Sequence, residues 1–204
     1  MFHPDSRFMS AFTLMADIVI LNMLLVVSTL PVVTGGAALR AANAVAGEMV
    51  QERGSRYALL YLRELTRRWK AATLYWLGLL VVVALVAYQQ FVVYQAGISG
   101  AALNVIQGLV LAGLFIVTGV TVWFYALCSV GESERGFGEL ASDAVVAAFR
   151  YLPRTAVAVA VSVGASWLAV SLPLGWAVPL TFFFLPGFAL YLNRLVLAAP
   201  LGDA

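Results

Sequence analysis

Four residues place charge or amide chemistry inside apolar surroundings: Asp17, Asn22, Arg40 and Glu48. A charge at membrane depth costs a few kcal/mol or more unless it is paired, so such residues either lock helices together or relay protons or substrate. Asp17 lies much farther from the turn near residue 34 than Arg40 does, so a direct pair needs a tilted helix or a long reach. We favour a locking contact, with a relay as the alternative, and expect Asn22 to bond between helices.

A second group is basic and periodic. Arg56, Arg63, Arg67 and Lys70 follow one another at spacings of seven, four and three residues, which places them on one face of a helix. An apolar stripe occupies another face. This pattern is typical of an amphipathic helix at a membrane surface, whose long basic side chains reach lipid phosphates. We predict a basic face over residues 56–70 that contacts lipid or a protein partner.

The remaining chemistry is sparse. A single histidine, His3, and a single cysteine, Cys128, exclude a histidine-based metal site, a catalytic triad and an internal disulfide. No phosphate-binding loop, zinc-ligand spacing or nucleophile elbow occurs. The net charge of +2 is too small to indicate nucleic acid. We therefore expect a protein that is not an enzyme and that holds no cofactor and no metal.

The composition of the chain predicts the kind of secondary-structure elements that carry these residues. The chain is 63% hydrophobic and only 11% charged, whereas soluble domains carry about 25% charged residues. Residues 71–131 and 155–193 contain no Asp, Glu, Lys or Arg. Spanning a bilayer takes about 20 apolar helical residues, so each tract holds two spans. The sequence predicts an all-α integral membrane protein with five or six transmembrane helices.

The predicted order contains a repeated plan. A first span at about 13–33 is followed by an Ala/Gly-rich helix at 36–52, which either returns through or partly through the membrane, packed on the first span, or lies at the interface. Its Ala38, Ala42 and Ala46 recur every four residues, a spacing that lets helices approach closely in lipid. Two copies of surface helix, span, uncharged turn and span then occupy 53–130 and 131–204, so that 1–52 forms a separate N-terminal unit of one membrane domain. The copies are either a parallel internal repeat or unrelated spans with loops on one side. The spans lie at about 71–93, 103–127, 154–172 and 176–197, with the second surface helix at 139–152 and prolines at 179 and 186 expected to kink the last span.

Basic residues predict the orientation. Seven lie between positions 40 and 70, three between 135 and 154, one at 194 and one at 7, whereas the turns at 94–102 and 173–175 have none. Cytoplasmic segments retain Lys and Arg, so both basic connections and the C-terminus are expected inside the cell. Six spans place Arg7 inside as well, and five place it outside. We favour six.

Three stretches resemble the YesL-like family of small bacterial membrane proteins: LN at 21–22, LPVVTGGA at 30–37 and RRWKAATLYW at 67–76. The order of features is similar to that family across nearly the whole chain. The family usually has Ile where Gly36 stands and aromatic residues where Asn43 stands.

The resemblance implies a protein of the bacterial cytoplasmic membrane with no established biochemical activity and no assigned catalytic residues. Such proteins are often encoded beside carbohydrate ABC importers and glycan-degrading enzymes. The expected function is an accessory component of carbohydrate uptake, whose partners are the lipid bilayer and a permease or ATPase subunit. The alternative is a stand-alone small-molecule transporter that uses the polar residues of the N-terminal hairpin.

Overall fold

The computed structural model describes residues 7–52, 56–130 and 135–202. These residues form α-helices joined by short turns and contain no strand, which confirms the all-α prediction. The helices are α1 (Arg7–Thr29), α2 (Gly35–Val50), α3 (Tyr57–Thr66), α4 (Trp69–Gln95), α5 (Gly100–Ser129), α6 (Phe137–Arg150), α7 (Leu152–Ser171), α8 (Leu174–Phe183) and α9 (Leu185–Leu201), with a 3-10 turn at Val32–Thr34 between α1 and α2.

Four of the described helices, α1, α4, α5 and α7, are long and apolar enough to cross a bilayer. The pair α8 and α9 makes a fifth if it is taken as one bent span. Large apolar side chains on α4 and α5, among them Val81, Leu85 and Leu109, are more than half exposed on the protein surface. Lipid hydrocarbon is the solvent that favours such exposed apolar side chains. The prediction of a multi-pass membrane protein is therefore confirmed.

The last span is broken, as its prolines predict. α8 ends at Phe183, α9 begins at Leu185, and the two axes are bent by 51°. Pro186 lies in the first turn of α9, where its missing N–H costs no helical hydrogen bond, while Pro179 lies inside α8 and removes one. The break leaves backbone groups near residues 181–187 in need of partners.

α2 is the centre of the bundle, packed against α1, α3, α4, α5 and α9. Ala38, Ala42 and Ala46, which recur every four residues, are completely buried. Small side chains at this spacing let helices approach closely in lipid, and this packing prediction is confirmed. Since α2 is enclosed by protein, two of its polar residues, Arg40 and Asn43, are buried among other helices.

α2 stays near one end of α4 and α5. Its Gly36 lies against Ala72 at the start of α4, and its Gly47 lies against the Arg194 guanidinium, which is bonded to the last turn of α5. With 16 residues, α2 is about 24 Å long, shorter than the roughly 30 Å hydrocarbon core. It is not among the helices that qualify as spans. The structure therefore favours five spans over the six that we expected.

The two surface helices are present as α3 and α6, and the order surface helix, span, turn and span occurs twice. The predicted single basic helix over 56–70 is wrong, however. α3 ends at Thr66, Arg68 adopts a left-handed backbone conformation with φ of 47°, and α4 begins at Trp69. Lys70 thus belongs to a different helix from Arg63, because the chain turns sharply between them.

Candidate functional site

A buried ion pair joins α2 to the end of α3. Arg40 is completely buried, and its Nη2 donates to Oε2 of Glu64 at 2.8 Å and to the Glu64 carbonyl oxygen at 2.5 Å. Arg67 approaches the other carboxylate oxygen at 3.2 Å. The partner of Arg40 is therefore Glu64, 24 positions along the chain, and not Asp17 as considered from the sequence. The bonds hold the surface helix α3 against the buried α2.

The charge state of Glu64 follows from these contacts. Burial alone would raise the pKa of the Glu64 carboxyl group, but the hydrogen bonds and positive charges of Arg40 and Arg67 outweigh it and hold this pKa below its ordinary value. Glu64 is thus ionised at neutral pH. An ionised carboxylate held by two guanidinium groups is suited to fixing helices in place.

Asn22 closes the break between α8 and α9. Its side-chain nitrogen donates to the carbonyl oxygens of Thr181 at 2.9 Å and Phe182 at 2.7 Å, and its side-chain oxygen accepts from the Gly187 amide at 2.5 Å. These backbone groups have lost helical partners at the break, and no water in the bilayer replaces them. Asn22 acts between helices, as the sequence suggested, by bonding to backbone.

Replacing Asn22 by Leu is expected to lower the free energy of unfolding by about 1–3 kcal/mol, because buried backbone groups at the break lose their partners. Unfolding of the purified protein in detergent micelles, followed by tryptophan fluorescence, measures this change. Asn104→Leu on the exposed surface of α5 is the matched control and is expected to have little effect. Equal losses in the two variants would contradict the role of Asn22.

Asp17 and Glu48 both act electrostatically on Tyr57, the first residue of α3. Burial raises the pKa of Tyr57, and the negative charges of Asp17, Glu48 and Glu52 raise it further, so all three carboxylates lie within electrostatic range of this phenol. Both Asp17 and Glu48 are half-buried. Neither belongs to an ion pair within the described residues. Neither Asp17 nor Glu48 is part of the Arg40–Glu64 pair, and both act electrostatically on Tyr57 instead.

The predicted basic face divides into residues with different surroundings. Arg63 is largely exposed, whereas Arg67 is tied to Glu64 at 3.2 Å. Arg56 lies exposed before α3, and Lys70 lies exposed in the first turn of α4. Of these four basic residues, only Arg63 is an exposed position within α3 itself.

Arg194 is a buried basic residue that sequence reasoning used only as an orientation signal. Its Nη1 donates to the Ala126 carbonyl oxygen at 3.1 Å and approaches the Ser129 hydroxyl oxygen at 3.0 Å. Carbonyl groups in the last turn of a helix lack helical partners, and a cation is favoured there by the helix dipole. Arg194 therefore caps α5 from α9. Its spacing in the sequence carries no signal for this role.

A chamber of about 330 Å³ lies beside α2, between α4, α5, α7 and α9. Most of its lining is aliphatic. Two amides reach it, but the Asn43 nitrogen donates to the Leu39 carbonyl oxygen and the Asn193 nitrogen donates to the Ser162 hydroxyl oxygen, both at 2.9 Å. The chamber surface is therefore mainly apolar.

Comparison of the chain with protein-family models, with curated proteins and with solved structures found no match. Among the described residues, no group of three His, Cys, Asp or Glu side chains is placed to hold a metal ion.

Sequence reasoning missed Glu64, which it treated as part of a surface helix. Residues 63–68 carry one carboxylate among three arginines, and a single acidic residue in a basic segment is the signal that could have marked it. Its partner could not be found in the same way, because Arg40 reaches it only after α3 folds back against α2.

Proposed function

We propose that this protein is a YesL-like accessory component of carbohydrate uptake in the bacterial cytoplasmic membrane, and that it is not an enzyme. In this proposal, α3 contacts a permease or ATPase subunit of an ABC importer. The resemblance at 21–22, 30–37 and 67–76 supports the family and the kind of partner. The exposed side of α3 supports the mode of contact.

The observation that carries the proposal is the two-sided character of α3. Tyr61 and Glu64 are buried against α1 and α2, whereas Leu59, Leu62 and Arg63 are exposed by 60%, 51% and 71%. Exposed aliphatic side chains beside a cation resemble the apolar core and charged rim of a protein interface. The Arg40–Glu64 pair already fixes the buried side of α3. The helix therefore loses little conformational entropy when a partner binds its exposed side.

The accessory role is preferred to the transporter alternative because of how polar groups are used in the N-terminal hairpin. The side-chain nitrogen and oxygen of Asn22 are both hydrogen-bonded to backbone groups at the break between α8 and α9, and Arg40 is paired with Glu64. A transport path needs polar groups that can release their partners within the protein and bind the solute instead. Both residues instead make bonds between helices of the protein.

We place the basic end of α4 and α5 in the cytoplasm, because segments rich in Lys and Arg are retained there. Both surface helices and the C-terminus then lie inside the cell, where an importer ATPase is accessible. With five spans, the N-terminal end of α1 lies on the outer side.

The test is co-purification of a tagged protein with importer subunits in mild detergent. Leu59→Gln combined with Arg63→Glu is expected to reduce the retained permease or ATPase at least about tenfold, equivalent to about 1.4 kcal/mol of binding free energy. Arg67 is left unchanged because it contacts Glu64. Any loss of retained permease or ATPase can then be attributed to the exposed side of α3.

The matched control is Val146→Gln with Arg150→Glu on α6, an exposed pair with the same four-residue spacing. It is expected to retain the importer subunits as the unaltered protein does. The proposal fails if the unaltered protein retains neither subunit, or if both double variants lose them equally.

A further inference from the structure

The chamber beside α2 lies at membrane depth. Its described lining residues come from α2, α4, α5, α7 and α9, and they include no Asp, Glu, Lys, Arg or His. Thr118 lines it and lies about 16 Å along α5 from the end of that helix at Ser129. This depth is near the middle of a hydrocarbon core of roughly 30 Å.

The chamber borders the lipid-facing surface of the protein. Val83 on α4 and Leu114 on α5 belong to its lining, and they are exposed by 55% and 39%. An apolar molecule in the bilayer can therefore reach the chamber from the side. The volume of about 330 Å³ lies within the range of about 300–1,000 Å³ that is typical of small-molecule sites.

Asn193 gives the chamber an unpartnered acceptor. The Ser162 hydroxyl donates to the Ala158 carbonyl oxygen, so its own oxygen accepts from the Asn193 side-chain nitrogen. This arrangement fixes which end of the amide faces Ser162. The other end, Oδ1, has no hydrogen-bond partner among the described residues, although Asn193 is only 5% exposed.

Two further polar groups on the chamber wall have bonding capacity to spare. The Asn43 nitrogen donates to the Leu39 carbonyl oxygen, and within the described part of the chain nothing donates to its Oδ1. Asn43 is also only 5% exposed. The Thr118 hydroxyl makes no hydrogen bond to a described residue. Three helices, α2, α5 and α9, thus each bring one such group to a mainly aliphatic chamber.

These groups define the chemistry of a ligand. A polar group without a partner is costly in hydrocarbon, so a ligand that supplies a hydrogen-bond donor is favoured there. The aliphatic lining favours an aliphatic chain. A charged ligand is disfavoured, because no described lining residue supplies an opposite charge.

We propose that this chamber binds an uncharged aliphatic molecule that carries a hydroxyl group, such as a long-chain alcohol or a glycerol ester of a fatty acid. The hydroxyl donates to an amide oxygen of Asn43 or Asn193 and accepts from Thr118, while the chain packs against the aliphatic lining. No described residue of α3 lines the chamber, so binding here neither requires nor excludes an importer partner.

The experiment is photocrosslinking of the protein in phosphatidylcholine vesicles with decanol that carries a diazirine in its chain. Peptide mass spectrometry is expected to find the label on chamber residues such as Leu79, Val86 and Leu190. Unlabelled decanol is expected to suppress this labelling at a membrane concentration about tenfold lower than decane, because only decanol forms hydrogen bonds.

Decyl sulfate, which has the same chain and a permanent charge, is expected to compete at least about tenfold less well than decanol. Equal competition by decanol and either of the other two molecules would overturn the proposal. Label confined to exposed side chains of α4 and α5 outside the chamber would also overturn it, because lipid contacts those side chains in any case.

Asn43→Leu with Asn193→Leu removes both amide oxygens. It is expected to reduce the preference for decanol over decane from about tenfold to about twofold or less. Asn104→Leu, the same change on the exposed surface of α5 outside the chamber, is the matched control and is expected to keep the preference. An undiminished preference in the double variant, or equal losses in double variant and control, would refute the site.

Both amides also bond within the protein, so Thr118→Val provides a second test if the double variant fails to fold. Valine has nearly the shape of threonine, and the Thr118 hydroxyl makes no bond to a described residue that would be lost. We expect the preference for decanol to fall about threefold. An unchanged preference would then refute the site.

Discussion

Replacing Glu64 by Gln is expected to lower the free energy of unfolding by about 3–5 kcal/mol, because the positive charge of Arg40 would remain buried without its carboxylate. Within the described residues, the Arg40 Nη2 makes both bonds to Glu64, and the other two guanidinium nitrogens have no hydrogen-bond acceptor. Unfolding in mixed detergent micelles, followed by tryptophan fluorescence, measures the loss.

The control is Glu139→Gln, the same chemical change at an exposed position of α6. It is expected to change the free energy of unfolding by less than about 0.5 kcal/mol. Adding Arg40→Met to Glu64→Gln is expected to recover part of the stability, because the unpaired charge is removed. A Glu64→Gln loss no larger than the control, or no recovery in the double variant, would show that the pair is not a structural lock.

The same carboxylate makes stability depend on pH. Because the pKa of Glu64 is lower in the folded protein than its ordinary value, its contribution is complete above the unfolded pKa of about 4.3. The contribution is lost as pH falls below that value through the folded pKa. The difference in stability between the unaltered protein and Glu64→Gln should therefore shrink in acid.

Replacing Gly36 by Ala is expected to cost about 1–3 kcal/mol, because the added methyl group forces α2 away from α4. A Cβ atom at this position would lie 2.7 Å from both the Ala72 carbonyl carbon and the Thr73 Cα. These are backbone atoms, so no side-chain rotation relieves the clash. The free energy of unfolding in mixed micelles measures the cost, and Gly36→Ile is expected to exceed it.

Gly78→Ala on α4 is the matched control, because a Cβ there meets no atom within 4 Å. Since Ala is the better helix former, this control is expected to be neutral or to stabilise by up to about 1 kcal/mol. Of the two substitutions, only Gly36→Ala should therefore destabilise the protein. A stabilising Gly36→Ala would refute the close contact.

The position of Gly36 also bears on the family resemblance. The YesL-like family usually has Ile there, and this structure has no room for Ile without a wider spacing between α2 and α4. The close packing of α2 against α4 therefore follows from the glycine that this chain has at position 36.

Several features of the fold could be predicted because they depend on neighbours in the sequence. The uncharged tracts at 71–131 and 155–193 became α4, α5, α7 and the bent pair α8–α9, since hydrocarbon accepts only apolar helices whose backbone groups bond internally. The break before Pro186 follows from proline's missing N–H and fixed φ. Small residues every four positions likewise predicted the close packing of α2.

What the tertiary structure alone decided concerns residues far apart in the chain. Arg40 pairs with Glu64 because α3 folds back on α2, and the turn at Arg68 separates Lys70 from the basic residues before it. The periodic spacing of side chains predicts the faces of one continuous helix. It does not indicate where that helix ends or which elements it contacts. A buried charge must find an opposite charge in space, and its partner is therefore settled by packing between helices.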